Sequence, residues 1–231
     1  YNDRWKERDP NWKPAAYQKE QDPIRGVFAY VADGLLQPGE EAPAHQPQLL
    51  PGQVKLKNIN GDDKLNEEDM VLIGRNDPKF IFGFNNNFSY KNFDLNIYMY
   101  GQVGKIAGAN SYYDAWGSYG NRIKLGQNVP VSFKDAWSSD NQTSTRPSFI
   151  ESAYGTGDLF LQKISFLRIR NITLGYTVPI SKSICNRLRV YADVNNPCVW
   201  TNWKGQDPET DSNTNAYPNV TSFSIGVDIS F

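Results

Sequence analysis

Phe223, Ile225, Val227, Ile229 and Phe231 occupy every second position at the end of this sequence, with Ser224, Gly226, Asp228 and Ser230 between them. Successive side chains of a strand point to opposite faces, so an extended segment here has one wholly apolar face and one small or polar face. Alternation over about ten residues is what a strand needs to cross a bilayer, with lipid on one side and a wet lumen on the other. The competing reading is a surface strand of a water-soluble β-domain.

Four further segments alternate in the same way. Phe80, Phe82, Phe84, Phe88 and Tyr90 oppose Ile81, Gly83, Asn85, Asn87 and Ser89, and Asn86 interrupts the aromatic face. Lys91-Asn92 then leads into Phe93, Leu95, Ile97 and Met99, set against Asp94, Asn96, Tyr98 and Tyr100. This reads as a hairpin with a two-residue turn. A third segment spans residues 160–178, where Ile172, Leu174, Tyr176 and Val178 share one parity while Leu167 and Ile169 take the other. The change of parity predicts a bulge near Arg170. In the fourth, Leu188, Val190, Ala192 and Val194 alternate with Arg187, Arg189, Tyr191, Asp193 and Asn195.

Charged residues on the inward parity discriminate between a dry core and a wet lumen. Burying Arg187, Arg189 and Asp193 unpaired would cost several kcal/mol per ion, whereas a water-filled barrel hydrates them. The connections alternate in length as well. Lys91-Asn92 and residues 179–185 are short, while residues 103–158 and 199–217 are long, the pattern of periplasmic turns and extracellular loops. The expected fold is therefore all-β, a transmembrane antiparallel β-barrel. Five strands do not close such a barrel, so the chain is expected to be the carboxyl-terminal portion of a larger one. Tyr1 is neither an initiator Met nor part of a signal peptide, in keeping with a processed or partial product. Residues 1–78, rich in proline, are expected to be extracellular with local strand at residues 26–31, and residues 79–231 to hold the barrel strands and the long loop 103–158.

A formal net charge of -1 argues against a nucleic-acid partner, which calls for a basic excess or stripe. No run of about 18 apolar residues is present to form a membrane helix, which leaves a barrel open. Cys185 and Cys198 flank an alternating run; fully extended, it would separate them by about 43 Å, so they are expected to stay unpaired. The single histidine, His45, lies among prolines and reads as solvated loop. No nucleophile–base pair, phosphate loop or paired-carboxylate motif is visible, and the chain is not expected to be an enzyme.

One motif carries candidate metal chemistry. Residues 58–69 have the spacing of an EF-hand loop, with side-chain oxygens of Asn58, Asn60, Asp62 and Asp69 at positions 1, 3, 5 and 12, the Lys64 carbonyl at 7, and Asn66 acting through water at 9. Asn58 stands for the usual first Asp, and Asp63 for the turn Gly. Calcium is the expected ion; an Asx-rich turn without metal is the alternative. Aromatics crowd the long loops, and Tyr112, Tyr113, Trp116 and Tyr119 are candidate contacts for substrate or partner, against a role in loop packing.

Several of these stretches together resemble the SusC/RagA family of TonB-dependent outer-membrane transporters. They are Gly52 to Asp69 with Val71-Leu72-Ile73-Gly74, then Asp77-Pro78-Lys79-Phe80, Gly83-Phe84-Asn85 and Tyr90-Lys91-Asn92-Phe93-Asp94-Leu95. Phe166 to Tyr176, Arg189-Val190-Tyr191, Gly205-Gln206-Asp207-Pro208-Glu209 and the terminal strand complete the set. Ser224-x-Gly226-x-x-Ile229-x-Phe231 is similar to the terminal signal that hands such barrels to their assembly machinery. The resemblance implies a bacterial outer-membrane protein importing oligosaccharides or peptides with a SusD-like lipoprotein as partner. It also implies energy from the TonB complex, coupled through an amino-terminal part not contained here. The rival class is a secreted calcium-binding β-domain that binds carbohydrate as a soluble module.

Overall fold

The computed structural model describes residues 25–108, 131–149, 155–180, 185–205, 207–210 and 217–231, together with Ala15, Pro23, Gly126 and Asn128. Its strands are β1 (Gly26–Ala29), β2 (Ala32–Leu35), β3 (Val54–Leu56), β4 (Val71–Arg75), β5 (Phe80–Tyr90), β6 (Phe93–Gly108), β7 (Leu161–Val178), β8 (Arg187–Thr201) and β9 (Ser222–Ser230). The chain divides into two units, Tyr1–Asp77 with Ile106–Gln162, and Pro78–Lys105 with Lys163–Phe231.

In the first unit, β1 pairs antiparallel with β4 and β2 with β3. Only the strand at residues 26–31 is anticipated from sequence; β2, β3 and β4 are too short to show a period. Their small core is Leu35, Val54 and Leu56, with Tyr30, Ala32, Leu65 and Trp137 packed on it. The fully buried Gln46 extends β3 sideways, its Oε1 accepting the Leu56 N–H at 2.7 Å. A side-chain amide here does the work of a neighbouring strand, which keeps buried backbone groups satisfied. His45 is not free in solvent as its proline-rich setting suggests: its Nε2 lies 2.7 Å from the Leu56 carbonyl oxygen, which anchors the loop beside β3. Asp158 ties a distant segment to the same unit, its Oδ1 accepting the Ala32 N–H at 2.8 Å.

The second unit is one antiparallel sheet in the order β5-β6-β7-β8-β9. Lys91, with φ 52, supplies the left-handed residue that a two-residue hairpin turn requires. From that turn β5 and β6 stay in uninterrupted register, Tyr90 opposite Phe93 through to Phe80 opposite Val103. β6 then continues to Gly108, so the first six residues of the expected loop 103–158 belong to the strand. Gly104 lies within this extension with φ 82, and a glycine there hides the strand from a pattern reading. β7 and β8 lose register between Ile169 and Asn171, opposite Asn196 and Pro197, where the parity change places a bulge. Proline is tolerated at such a break because no ladder hydrogen bond is lost. Cys185 and Cys198 are both free thiols.

Candidate functional site

The chemistry of the second unit lies in the contrast between the two faces of its sheet. On one face Phe84, Leu174, Val190, Ile225 and Val227 are exposed, Ile225 to 88%. Phe82, Leu95 and Ile97 share this face through the β5–β6 register. Contiguous apolar surface of this kind would aggregate in water but is what lipid demands. Aromatic rings collect at the end nearest the short turns, where Phe93 and Tyr176 lie 4.7 Å apart between ring centres. Aromatic girdles mark the lipid–water boundary in barrels.

The opposite face is polar and internally bonded. Asn96 donates to Asn85 Oδ1 at 2.7 Å and to Asn87 Oδ1 at 2.6 Å. Asp193 accepts from Asn171, from Thr173 Oγ1 at 2.8 Å and from Asn195 Nδ2 at 2.7 Å. Arg189 bridges three strands, bonded to Asp94 on β6 and to Asp228 on β9. Small residues make room for these groups. A Cβ on Gly175 would come within 2.4 Å of Arg189 Nη2, and one on Gly226 within 2.3 Å of the Tyr191 ring. The glycine of the terminal strand is thus required by an aromatic ring laid across it.

The bulge moves the polar face from one parity of β7 to the other. Below it, Asn171 and Thr173 point inward to Asp193. Above it, Phe166 and Arg170 do, since both lie against Tyr100, at 5.9 and 5.7 Å from its ring centre. Arg168 follows the same parity and is 2% exposed. Its Nη2 donates to both carboxylate oxygens of Asp207, at 2.8 and 2.9 Å, and its Nε to Glu209 Oε1 at 3.1 Å. Arg170 Nη2 completes the group with a bond of 2.7 Å to Glu209 Oε2. Burial pushes the Asp207 carboxyl up, but the N–H groups of Glu209 and Asn219 and the Arg168 charge more than offset it and hold it below the usual range. Sequence reading does not pair these residues. The one available signal is two arginines on the bulged strand and two acids in the loop after its neighbour.

The loop 58–69 is built around Asp69. This carboxylate is fully buried and accepts the N–H groups of Ile59 at 2.7 Å, Asn60 at 3.3 Å and Asn66 at 3.0 Å. Burial raises its pKa, yet these three bonds leave it lower than that of an ordinary aspartate. Asn66 in turn caps the 3-10 turn Glu67–Asp69, its Oδ1 accepting the Glu68 N–H at 2.7 Å. Asn58, Asn60 and Asp62 each accept a loop N–H, from Gly61, Asp62 and Lys64 respectively. Asp63 takes φ 59, as a residue in the place of the turn glycine must. Asp62 and Asn66 approach each other at 3.4 Å. Among the described residues no three His, Cys, Asp or Glu side chains converge as a metal set, so any ion here would lean on amide and carbonyl oxygens. The candidate contacts Tyr112, Tyr113, Trp116 and Tyr119 lie outside the described residues.

No family model matches the chain. It is 27% identical over 236 aligned positions to TonB-dependent receptor P3 of Formosa agariphila, covering 92% of this chain and 23% of that receptor. To TonB-dependent receptor SusC of Bacteroides thetaiotaomicron it is 27% identical over 180 positions, covering 74% of this chain and 17% of SusC. The chain therefore spans about a quarter or less of these relatives. The solved structure of the RagAB peptide transporter superposes with a TM-score of 0.66 at 22% identity, over 89% of this chain and 23% of that one, and shows the same fold. The proteins it resembles are receptors and transporters, not enzymes. A sheet apolar on one face and polar on the other, similar in sequence to TonB-dependent receptors, SusC among them, and in fold to the RagAB transporter, is the architecture of part of an outer-membrane β-barrel wall.

Proposed function

We propose that the chain forms part of the wall of an outer-membrane importer that takes up oligosaccharides or peptides, is energised through TonB, and works with a SusD-like lipoprotein outside. The observation that carries this reading is the two-faced sheet, whose apolar side suits lipid and whose polar side suits a hydrated passage. The same exposed apolar face disfavours a soluble carbohydrate-binding module, which would have to cover it. Similarity to TonB-dependent receptors and to a peptide transporter supports nutrient import as the use of that passage. Uptake of labelled oligosaccharides and labelled peptides by cells with and without the receptor gene, and with and without TonB, tests it. Loss of one class in both deletions, with a lipoprotein recovered alongside the receptor, is the expected result. Undiminished uptake of both classes overturns the reading.

Two finer assignments belong to the same proposal. Calcium in the loop 58–69 would be held by Asn58, Asn60, Asp62 and Asp69, with the Lys64 carbonyl and Asn66 through water, and would stiffen a loop outside the membrane. Tyr112, Tyr113, Trp116 and Tyr119 would contact substrate or lipoprotein. Replacing Trp116 and Tyr119 by Ala should then lower uptake without lowering the amount of assembled barrel.

A further inference from the structure

We propose that residues 203–205 and 207–210, between β8 and β9, are a fixed lining of the inner wall that narrows the outer entrance of the barrel, held there by Arg168 and Arg170. The proposal rests on the membrane reading above. Its starting point is the direction in which the loop folds. Tyr100 stands on the polar face of β6, in unbroken register with Asp94 and Asn96. Arg170 and Phe166 lie against Tyr100, so the even positions of β7 above the bulge face inward. Asp207 and Glu209 are bonded to Arg168 and Arg170 on that side. Residues 207–210 therefore lie against the inner face and do not project away from the sheet.

The fastening is unlike that of a mobile lid. Arg168 and Asp207 have side-chain exposures of 3% and 4%, and Glu209 of 16%. Two guanidinium groups meet two carboxylates, so the charges cancel within the cluster. Asn219 closes it from the far side of the loop, its N–H donating to Asp207 Oδ2 at 3.0 Å and its Nδ2 to Glu209 Oε2 at 2.9 Å. Glu209 N–H donates to Asp207 Oδ1 at 2.9 Å and Thr210 Oγ1 to the Asp207 carbonyl at 3.0 Å, which holds the turn itself. Opening the loop would strand at least one buried ion, and segments that must open are drawn from the weakly held parts of a fold. In this arrangement Arg168 and Asp207 are positioning residues that set the size of what can pass.

The test uses the intact protein in the outer membrane of cells, with Cys185 and Cys198 replaced by Ser. Val199 is opposite Arg168 on β8 and shares its inward face, so V199C reports on the covered wall. Tyr217, 85% exposed in the same loop, supplies the reference as Y217C. Cells are treated from outside with a small maleimide and with a polymer-tagged maleimide. The expected result is that V199C, relative to Y217C, reacts about tenfold more slowly with the polymer reagent than with the small one, and that R168M abolishes the difference. Slow hydrogen exchange at the Glu209 and Asn219 amides is expected in the protein that keeps Arg168, and this holds whether or not R168M assembles. Equal labelling of V199C by the two reagents, or fast exchange at both amides, overturns the proposal. Fractionation of the same cells separates the two levels: absence from the outer membrane would sink the membrane reading itself.

Discussion

Arg189 on β8 donates to both carboxylate oxygens of Asp94 on β6, from Nε at 2.9 Å and from Nη2 at 2.6 Å, across the intervening strand β7. The guanidinium reaches over Gly175, where any side chain would block it. A third bond runs from Nη1 to Asp228 on β9 at 3.1 Å. One guanidinium thus serves two carboxylates on the inward face and ties β6, β8 and β9 together across β7.

Because Asp94 and Asp228 are substantially exposed, the pairs are screened and each contributes modestly. Arg189→Ala is expected to destabilise the folded barrel by about 1–2 kcal/mol, with most of the coupling to Asp94. A double-mutant cycle with Asp94→Ala, read by urea unfolding in detergent or lipid, measures it. Strict additivity would show the bonds to be ornamental.

Ser224 and Ile225 are neighbours on opposite faces of β9. Arginine at Ile225 should cost about 2–4 kcal/mol if the site lies near the bilayer midplane, and at Ser224 far less. Folding titrations into lipid vesicles compare the two. Equal penalties would contradict the assignment of faces.

Gly226 lies under the Tyr191 ring, so Gly226→Ala should destabilise by about 1–3 kcal/mol through overpacking. Tyr191→Ala in the same protein should remove most of that penalty. If the double variant is no better than Gly226→Ala alone, the glycine serves something other than this contact.

Asp69 satisfies three backbone N–H groups inside its loop, and Asp69→Ala should loosen residues 58–69 by about 2–4 kcal/mol. Since its folded pKa lies below the free value of about 3.9, its contribution is complete above that value and is lost as pH falls through the depressed one. Protection from hydrogen exchange at Ile59, Asn60 and Asn66, taken relative to the intrinsic rate at each pH, should accordingly fall in the variant, and in acid for the unmodified loop. Unchanged exchange in Asp69→Ala would mean that the backbone alone holds the turn.

Calcium at millimolar concentration is expected to slow proteolysis within residues 58–69, and Asp62→Asn to weaken that effect about tenfold by removing ligand charge. Magnesium serves as the comparison ion. Identical cleavage with calcium and with chelator leaves the loop as a metal-free Asx turn.

Five strands, their faces, the two-residue turn at Lys91-Asn92 and the break near Arg170 were legible from residue order, because a strand repeats every second residue and the bilayer imposes that repeat on one whole face. The short strands β2, β3 and β4 were not, since three to five residues carry too little periodicity and Gln46 takes part through its side chain. Nor could β6 be followed beyond Val103, where Gly104 interrupts the pattern. The pairing of Arg168 with Asp207, and of Arg189 with Asp94, needed the tertiary structure. Those partners lie 39 and 95 residues apart, and which charges meet depends on register, on the bulge that turns Arg168 inward, and on a loop lying against the inner wall. Local order sets which face a residue occupies; only the assembled sheet decides what stands opposite it.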